Sequence, residues 1–158
     1  MKRFLILFLS ILIHLFSFSQ SKKEVKMHKI KSSYTTTTEK GKTINENKTI
    51  FDSKGYEIEK TDYNKEGNIK SIHKLKYNSE GDETEDGEYD GGNKLIEKKI
   101  IKYNMLGEKT EETFYDATGK IIKKHTYTYD SKGLKTERKT LDSEGKIIAV
   151  KKHVYLTK

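Results

Sequence analysis

The chain of 158 residues contains no cysteine, no proline and no tryptophan. Without cysteine there are no disulfide staples, no thiol catalysis, no Cys-ligated zinc and no thiol to carry a lipid. Without proline, nothing in the chain bars a strand from a sheet interior. Aliphatic side chains are scarce as well. Beyond residue 20, Ile, Leu, Val and Phe supply 24 of 138 residues, and adding Ala, Met and Gly brings the total to 39, about 28%. Ordinary domains reach roughly 45–50%, so a thick two-layer core is excluded. Either the region is disordered or it folds by some other means.

The long apolar run stands at the start, in MKRFLILFLSILIHLFSFSQ. Lys2 and Arg3 make a basic leader, the apolar stretch runs from Phe4 to Phe18, and Ser17 and Ser19 suit cleavage before Gln20. This is the layout of a secretory signal peptide over 1–19. The run is interrupted by Ser10 and His14 and falls short of the roughly 20 apolar residues that a spanning helix needs. The mature chain is therefore expected to be exported to the periplasm, the cell surface or the medium, and not to span a membrane.

What is present in abundance is a repeat. Residues four before each recurring glycine fall at Thr37, Phe51, Tyr63, Tyr77, Tyr89, Tyr103, Tyr115, Tyr129 and Leu141, with Tyr155 last, at alternating spacings of 14 and 12. The unit is 26 residues, and a fixed period of this size marks a stacked repeat architecture rather than disorder. From Phe51 on, the phrases after the anchors are DSKG, NKEG, NSEG, DGGN, NMLG, DATG, DSKG and DSEG. Asp or Asn first and Gly fourth predicts a type I turn closed by a G1 bulge, with Gly55, Gly67, Gly81, Gly107, Gly119, Gly133 and Gly145 in the left-handed conformation. Asn93 replaces glycine once, and Asn tolerates that conformation.

Turns this short join only antiparallel neighbours. The spacing therefore predicts an all-β, antiparallel up-and-down meander of about ten strands, largely a single-layer twisted sheet, over 30–158. Residues 20–29 read as a flexible basic leader. Charge supports the pairing: the five long segments from Lys42 sum to +13 and the four short segments between them to −7, so opposite charges meet across the ladder.

The stretch YDATGKIIKKHTYTYDSKGLKTERKTLDSEGKII resembles the YD repeats of RHS-type proteins, and the likeness runs over roughly 37–155. The resemblance implies Tyr-Asp-x-x-Gly turns linking the strands of a long sheet, and an exported or surface protein of the kind described as carbohydrate-binding. Ten strands are too few for the enclosing shell of that family, and no toxin segment is expected after Tyr155.

Candidate chemistry is sparse. His73 and His125 occupy one repeat slot but stand four strands apart, roughly 19 Å in a flat sheet, too far to share a metal. The run GDETEDGEYDGG (81–92) lacks the third-position and final ligands of a calcium loop. No phosphate loop, zinc motif or nucleophile–base pair is present, so no catalytic, cofactor or metal site is expected. The candidate ligand-contacting residues are Phe51, Tyr77, Tyr103, Tyr129 and Tyr155, an aromatic row recurring every second strand; Tyr63, Tyr89 and Tyr115 make a second row. Such rows either stack on sugar rings or pack over their own turns. Beyond residue 20, 30 basic residues stand against 24 acidic ones. For an exported protein this favours envelope polysaccharide over nucleic acid. The expected role is a non-catalytic binding or scaffolding surface in the cell envelope. The alternative is a structural element that pairs with another envelope protein through its end segments, 30–37 and 146–155. Lys151 and Lys152 would blunt the last edge, and Thr35 to Thr38 the first edge less.

Overall fold

The computed structural model describes residues 21–156; the expected signal segment 1–19 lies outside them. One helix, α1 (Lys22–Met27), precedes ten strands: β1 (Ser32–Glu39), β2 (Lys42–Phe51), β3 (Glu57–Tyr63), β4 (Ile69–Tyr77), β5 (Glu83–Tyr89), β6 (Leu95–Tyr103), β7 (Lys109–Asp116), β8 (Ile121–Tyr129), β9 (Lys135–Asp142) and β10 (Ile147–Lys152). The strands form one sheet in chain order, every neighbour antiparallel. The fold is the meander that the repeat predicts.

The turns explain why. Asp130 Oδ1 accepts the backbone N–H of Lys132 and Leu134, both at 2.9 Å, while Gly133 N donates to Asp130 O at 3.1 Å. The same bonds recur at Asp52, Asn64, Asn104, Asp116 and Asp142. Gly133 stands at φ +75° and Asn93 at +62°, which is why only Gly or Asn closes these turns. On seven of the nine pairs the register slips by one residue just before the aromatic anchor, as at Lys102/Tyr103 and Phe114/Tyr115. The first hairpin departs from this pattern. Lys40 and Gly41 both take positive φ and Glu39 pairs directly with Lys42, a two-residue turn. Thr38 stands where the other turns have Asp or Asn, so the side-chain acceptor that builds the longer turn is missing.

Little is buried. Among the described residues the buried apolar side chains are Val25, Ile72 and Ile101, and both broad faces meet solvent. Register alternation divides the side chains between two faces. The front carries His73, Leu75, Tyr77, Asp86, Lys99, Ile101, Glu112, His125, Tyr127 and Arg138. The back carries Lys74, Glu85, Tyr89, Lys98, Lys102, Glu111, Tyr115 and Lys124. Ion pairs cross the ladder on both. Asp86 on the front pairs with Lys99 (3.2 Å) and is hydrogen-bonded with His73 Nδ1 (2.9 Å), and Glu111 on the back bridges Lys102 (3.0 Å) and Lys124 (3.1 Å). Each exposed pair contributes only about 0.2–1 kcal/mol, but all of them vote for the same register.

Residues 20–29 were expected to be flexible, and the structure corrects this for 21–29. Ser21 caps the helix by accepting from Glu24 N (3.3 Å), and Glu24 returns the bond to Ser21 N (3.2 Å). Val25 beneath is 1% exposed. The helix lies so close to the first long turn that a Cβ on Gly55 would stand 2.6 Å from Lys22 O. Lys22 Nζ sits 3.4 Å from the centre of the Tyr56 ring, which stacks on Tyr77 at 4.6 Å. One buried valine, a two-way cap and a cation over an aromatic ring hold a segment whose composition alone reads as disordered.

Candidate functional site

The first aromatic row serves the fold. Tyr77, Tyr103, Tyr129 and Tyr155 each donate their hydroxyl to the backbone carbonyl twenty residues earlier: Glu57, Glu83, Lys109 and Lys135, at 2.8–2.9 Å. Each ring thus reaches from the end of a long strand to the start of the preceding short one. Phe51, in the same slot, has no hydroxyl to give and lies near α1 and its connection to β1. Burial holds the Tyr77 phenol up at about 12, with the Glu83 and Glu57 carboxylates adding to the effect; burial raises Tyr103 and Tyr129 too. The second row is on the back face, where Lys74 stands 4.6 Å over Tyr89 and Lys98 5.7 Å over Tyr115.

The histidines are engaged locally. His73 is held by Asp86, and His125 Nδ1 lies 3.1 Å from Thr140 Oγ1. Burial lowers the pKa of His125, and neighbouring Arg138 adds to the effect. Among the described residues no group of three or more His, Asp or Glu is placed to hold a metal ion. The acidic run 81–92 is β5 and its flanking turns, with Glu85 paired to Lys76 at 3.0 Å and Glu83 to Lys99 at 3.0 Å.

A concave site appears elsewhere, where the repeat is least regular. Between Thr35 and Thr36 the β1–β2 register slips, and Glu46 is the extra residue on β2. Bulges of this kind re-aim a side chain, and Thr37 Oγ1 donates to the displaced Glu46 carboxylate. Pairing of β2 with β3 begins only at Asn47 and Asp62, so the first hairpin overhangs the turn 64–67. The space left at this corner is about 480 Å³. Ile44 and Tyr63 give it apolar surface; Thr37, Asn47, Asp62 and Asn64 give it hydroxyl, amide and carboxylate groups, and Lys65 and Lys70 line it too. Apolar surface with a few convergent polar groups is the make-up of small-ligand sites. Vicinal hydroxyls suit amide and carboxylate oxygens, and the C–H face of a pyranose suits a tyrosine ring. Tyr63 belongs to the second aromatic row read from the sequence; none of these residues belongs to the first.

No family model matches the chain, and no curated protein matches it in sequence. Among solved structures it is similar to a protein of unknown function from Bacteroides fragilis, at 17% identity and a TM-score of 0.44, over 80% of this chain and 96% of that one. It is also similar to TarM at 16% identity and a TM-score of 0.32, over 80% of this chain and 22% of TarM. A variant of S. aureus TarM in complex with fondaparinux, α-GlcNAc-glycerol and UDP matches at 15% identity and a TM-score of 0.31, over 79% of this chain and 22% of that one. The chain thus spans about a fifth of TarM, and at these scores none of the likenesses carries an argument about function.

Proposed function

We propose that the protein is an exported, non-catalytic YD-type repeat scaffold of the cell envelope that holds envelope polysaccharide at the corner between β1, β2 and β3. The observation that carries this reading is the groove itself: a concave site of hydroxyl, amide and carboxylate groups over Ile44 and Tyr63 at the β1–β2–β3 corner. The aromatic row supports it less directly, because its hydroxyls are committed to backbone carbonyls. The test is binding of polysaccharide purified from the host envelope, read by calorimetry. The expected result is saturable binding that falls at least tenfold in an Asn47→Ala/Asp62→Ala double variant and survives Tyr103→Ala/Tyr129→Ala, with circular dichroism confirming the fold of both. Loss in the second variant but not the first would move the site to the row. No binding by the unaltered protein would end the glycan reading.

A second reading, a protein-interaction element joined through an end strand, is favoured by one observation. The outer edge of β10 carries no strand among the described residues, and its Ile147, Ile148 and Val150 side chains are half exposed.

A further inference from the structure

The net charge of the chain is not spread over the sheet. Residues 21–119 hold 19 Lys against 20 Asp and Glu, a net −1, whereas residues 120–156 hold 10 Lys and Arg against 4 acids, a net +6. Cations therefore crowd the last three strands. β9 reads KTERKTLD and breaks the rule that short strands are acidic. On the front, Arg138 of β9 pairs directly with Lys151 of β10, like charge against like, an arrangement that destabilises a ladder. Arg138 Nε is buried with no hydrogen-bond partner among the described residues.

β10 nevertheless pairs with β9 along its inner edge as the earlier long strands pair with theirs. His153 N donates to Thr136 O at 2.9 Å, and Tyr155 repeats the hydroxyl bond of the earlier rows. Since the His153 N–H points inward to β9, alternation aims the N–H groups of Val150 and Lys152 outward. On each of the four preceding long strands, the strand laid against it carries glutamate at one fixed slot. Glu59 faces Ile50, Glu85 faces Lys76, Glu111 faces Lys102 and Glu137 faces Thr128. The corresponding slot beside β10 faces Val154, two residues from Lys152.

Resting on the second reading above, we infer that the outer edge of β10 takes an extended acidic strand from another protein, with glutamate at the slot facing Val154. Adding a strand to an open edge draws affinity from main-chain hydrogen bonds and specificity from alternate side chains. A second copy of this chain fits poorly. Two β10 strands would bring Lys151 and Lys152 against themselves, and β1 offers one acid, Glu39, in eight residues.

The probe is a fluorescent peptide with the sequence of residues 108–116 (EKTEETFYD), titrated with the purified protein and read by anisotropy. Saturable binding is expected, at least tenfold weaker in 0.5 M NaCl and for the same peptide carrying Glu111→Lys and Glu112→Lys. Val150→Pro, which removes an outward N–H and leaves the inner ladder intact, and Lys151→Glu/Lys152→Glu should each weaken it at least tenfold, with circular dichroism confirming the fold. The groove variant Asn47→Ala/Asp62→Ala should leave it unchanged, so this inference and the glycan reading fail separately. Equal binding of the charge-reversed peptide, or no saturable binding, would overturn the inference. So would heparin competing fully in both the unaltered protein and Val150→Pro, which would make the end strands a general polyanion surface. Self-association of the protein alone, lost in Val150→Pro, would overturn it in favour of a second copy.

Discussion

Replacing Tyr77, Tyr103 and Tyr129 together by Phe tests whether the aromatic row is a structural lock. Each change removes one hydroxyl and keeps the ring. The bonds lost are those to Glu57 O, Glu83 O and Lys109 O, each 2.8 Å long and part-buried. A neutral hydrogen bond of this kind contributes about 1 kcal/mol net. The three sites lie two strands apart, roughly 10 Å, far enough for their effects to add. The triple variant should therefore lose about 3 kcal/mol, a large part of the roughly 5–15 kcal/mol typical of a domain. Phe51, the naturally hydroxyl-free member of the slot, shows that the ring alone is tolerated there. Urea unfolding followed by circular dichroism should show a lower midpoint at unchanged slope, and the melting temperature should fall by about 6–12 °C. A loss under 0.5 kcal/mol would mean that the hydroxyls face water in solution, and the lock would be refuted.

Three further outcomes follow from named contacts. Glu112 is buried, which alone would raise its pKa, yet the hydrogen bonds from Lys109 and Tyr127 hold it below the usual glutamate value; Lys102 and Lys124 do the same for Glu111 against its own burial. A depressed folded pKa means stability that is full above about pH 4.5 and is lost as pH falls through the folded value; melting curves from pH 6 to 3 should show this loss, and Glu112→Gln should flatten it. Tyr77 has the opposite sign: its phenol is raised from 10 to about 12, so its contribution is full below pH 10 and lost between about 10 and 12; Tyr103, Tyr127 and Tyr129 are raised as well, and absorbance titration at 295 nm should show a group of late tyrosines that loses one member in Tyr77→Phe. Gly55→Ala puts a methyl 2.6 Å from Lys22 O at φ +85°, whereas Gly67→Ala at φ +86° meets nothing within 4 Å. Both carry the left-handed strain of about 1–3 kcal/mol, but Gly55→Ala should cost clearly more in urea unfolding and expose α1 to proteolysis.

The meander was legible because its information is local. Asp or Asn first and Gly or Asn fourth dictate eight of the nine turns, and nine turns in register leave a single topology. The cross-strand charge pattern was equally legible, but its segregation towards β8–β10 is visible only when charge is counted along the sheet rather than between long and short segments. Helix α1 carried a signal in Ser21-x-x-Glu24, a capping box, masked by the lysines around it. The corner groove had no local signal. It depends on the bulge at Glu46 and on the overhang of the first hairpin, both properties of strand pairing. The reach of each tyrosine to a carbonyl twenty residues back likewise exists only once two strands are paired in one register.

The central claim, that this open sheet is a binding surface of the envelope, is tested most directly by sedimentation. Purified protein spanning residues 20–158 is mixed with isolated envelopes of its host, untreated or stripped with protease, and pelleted. The account predicts retention on stripped envelopes, reduced at least tenfold by Asn47→Ala/Asp62→Ala. Protein left in the supernatant with both preparations would contradict it.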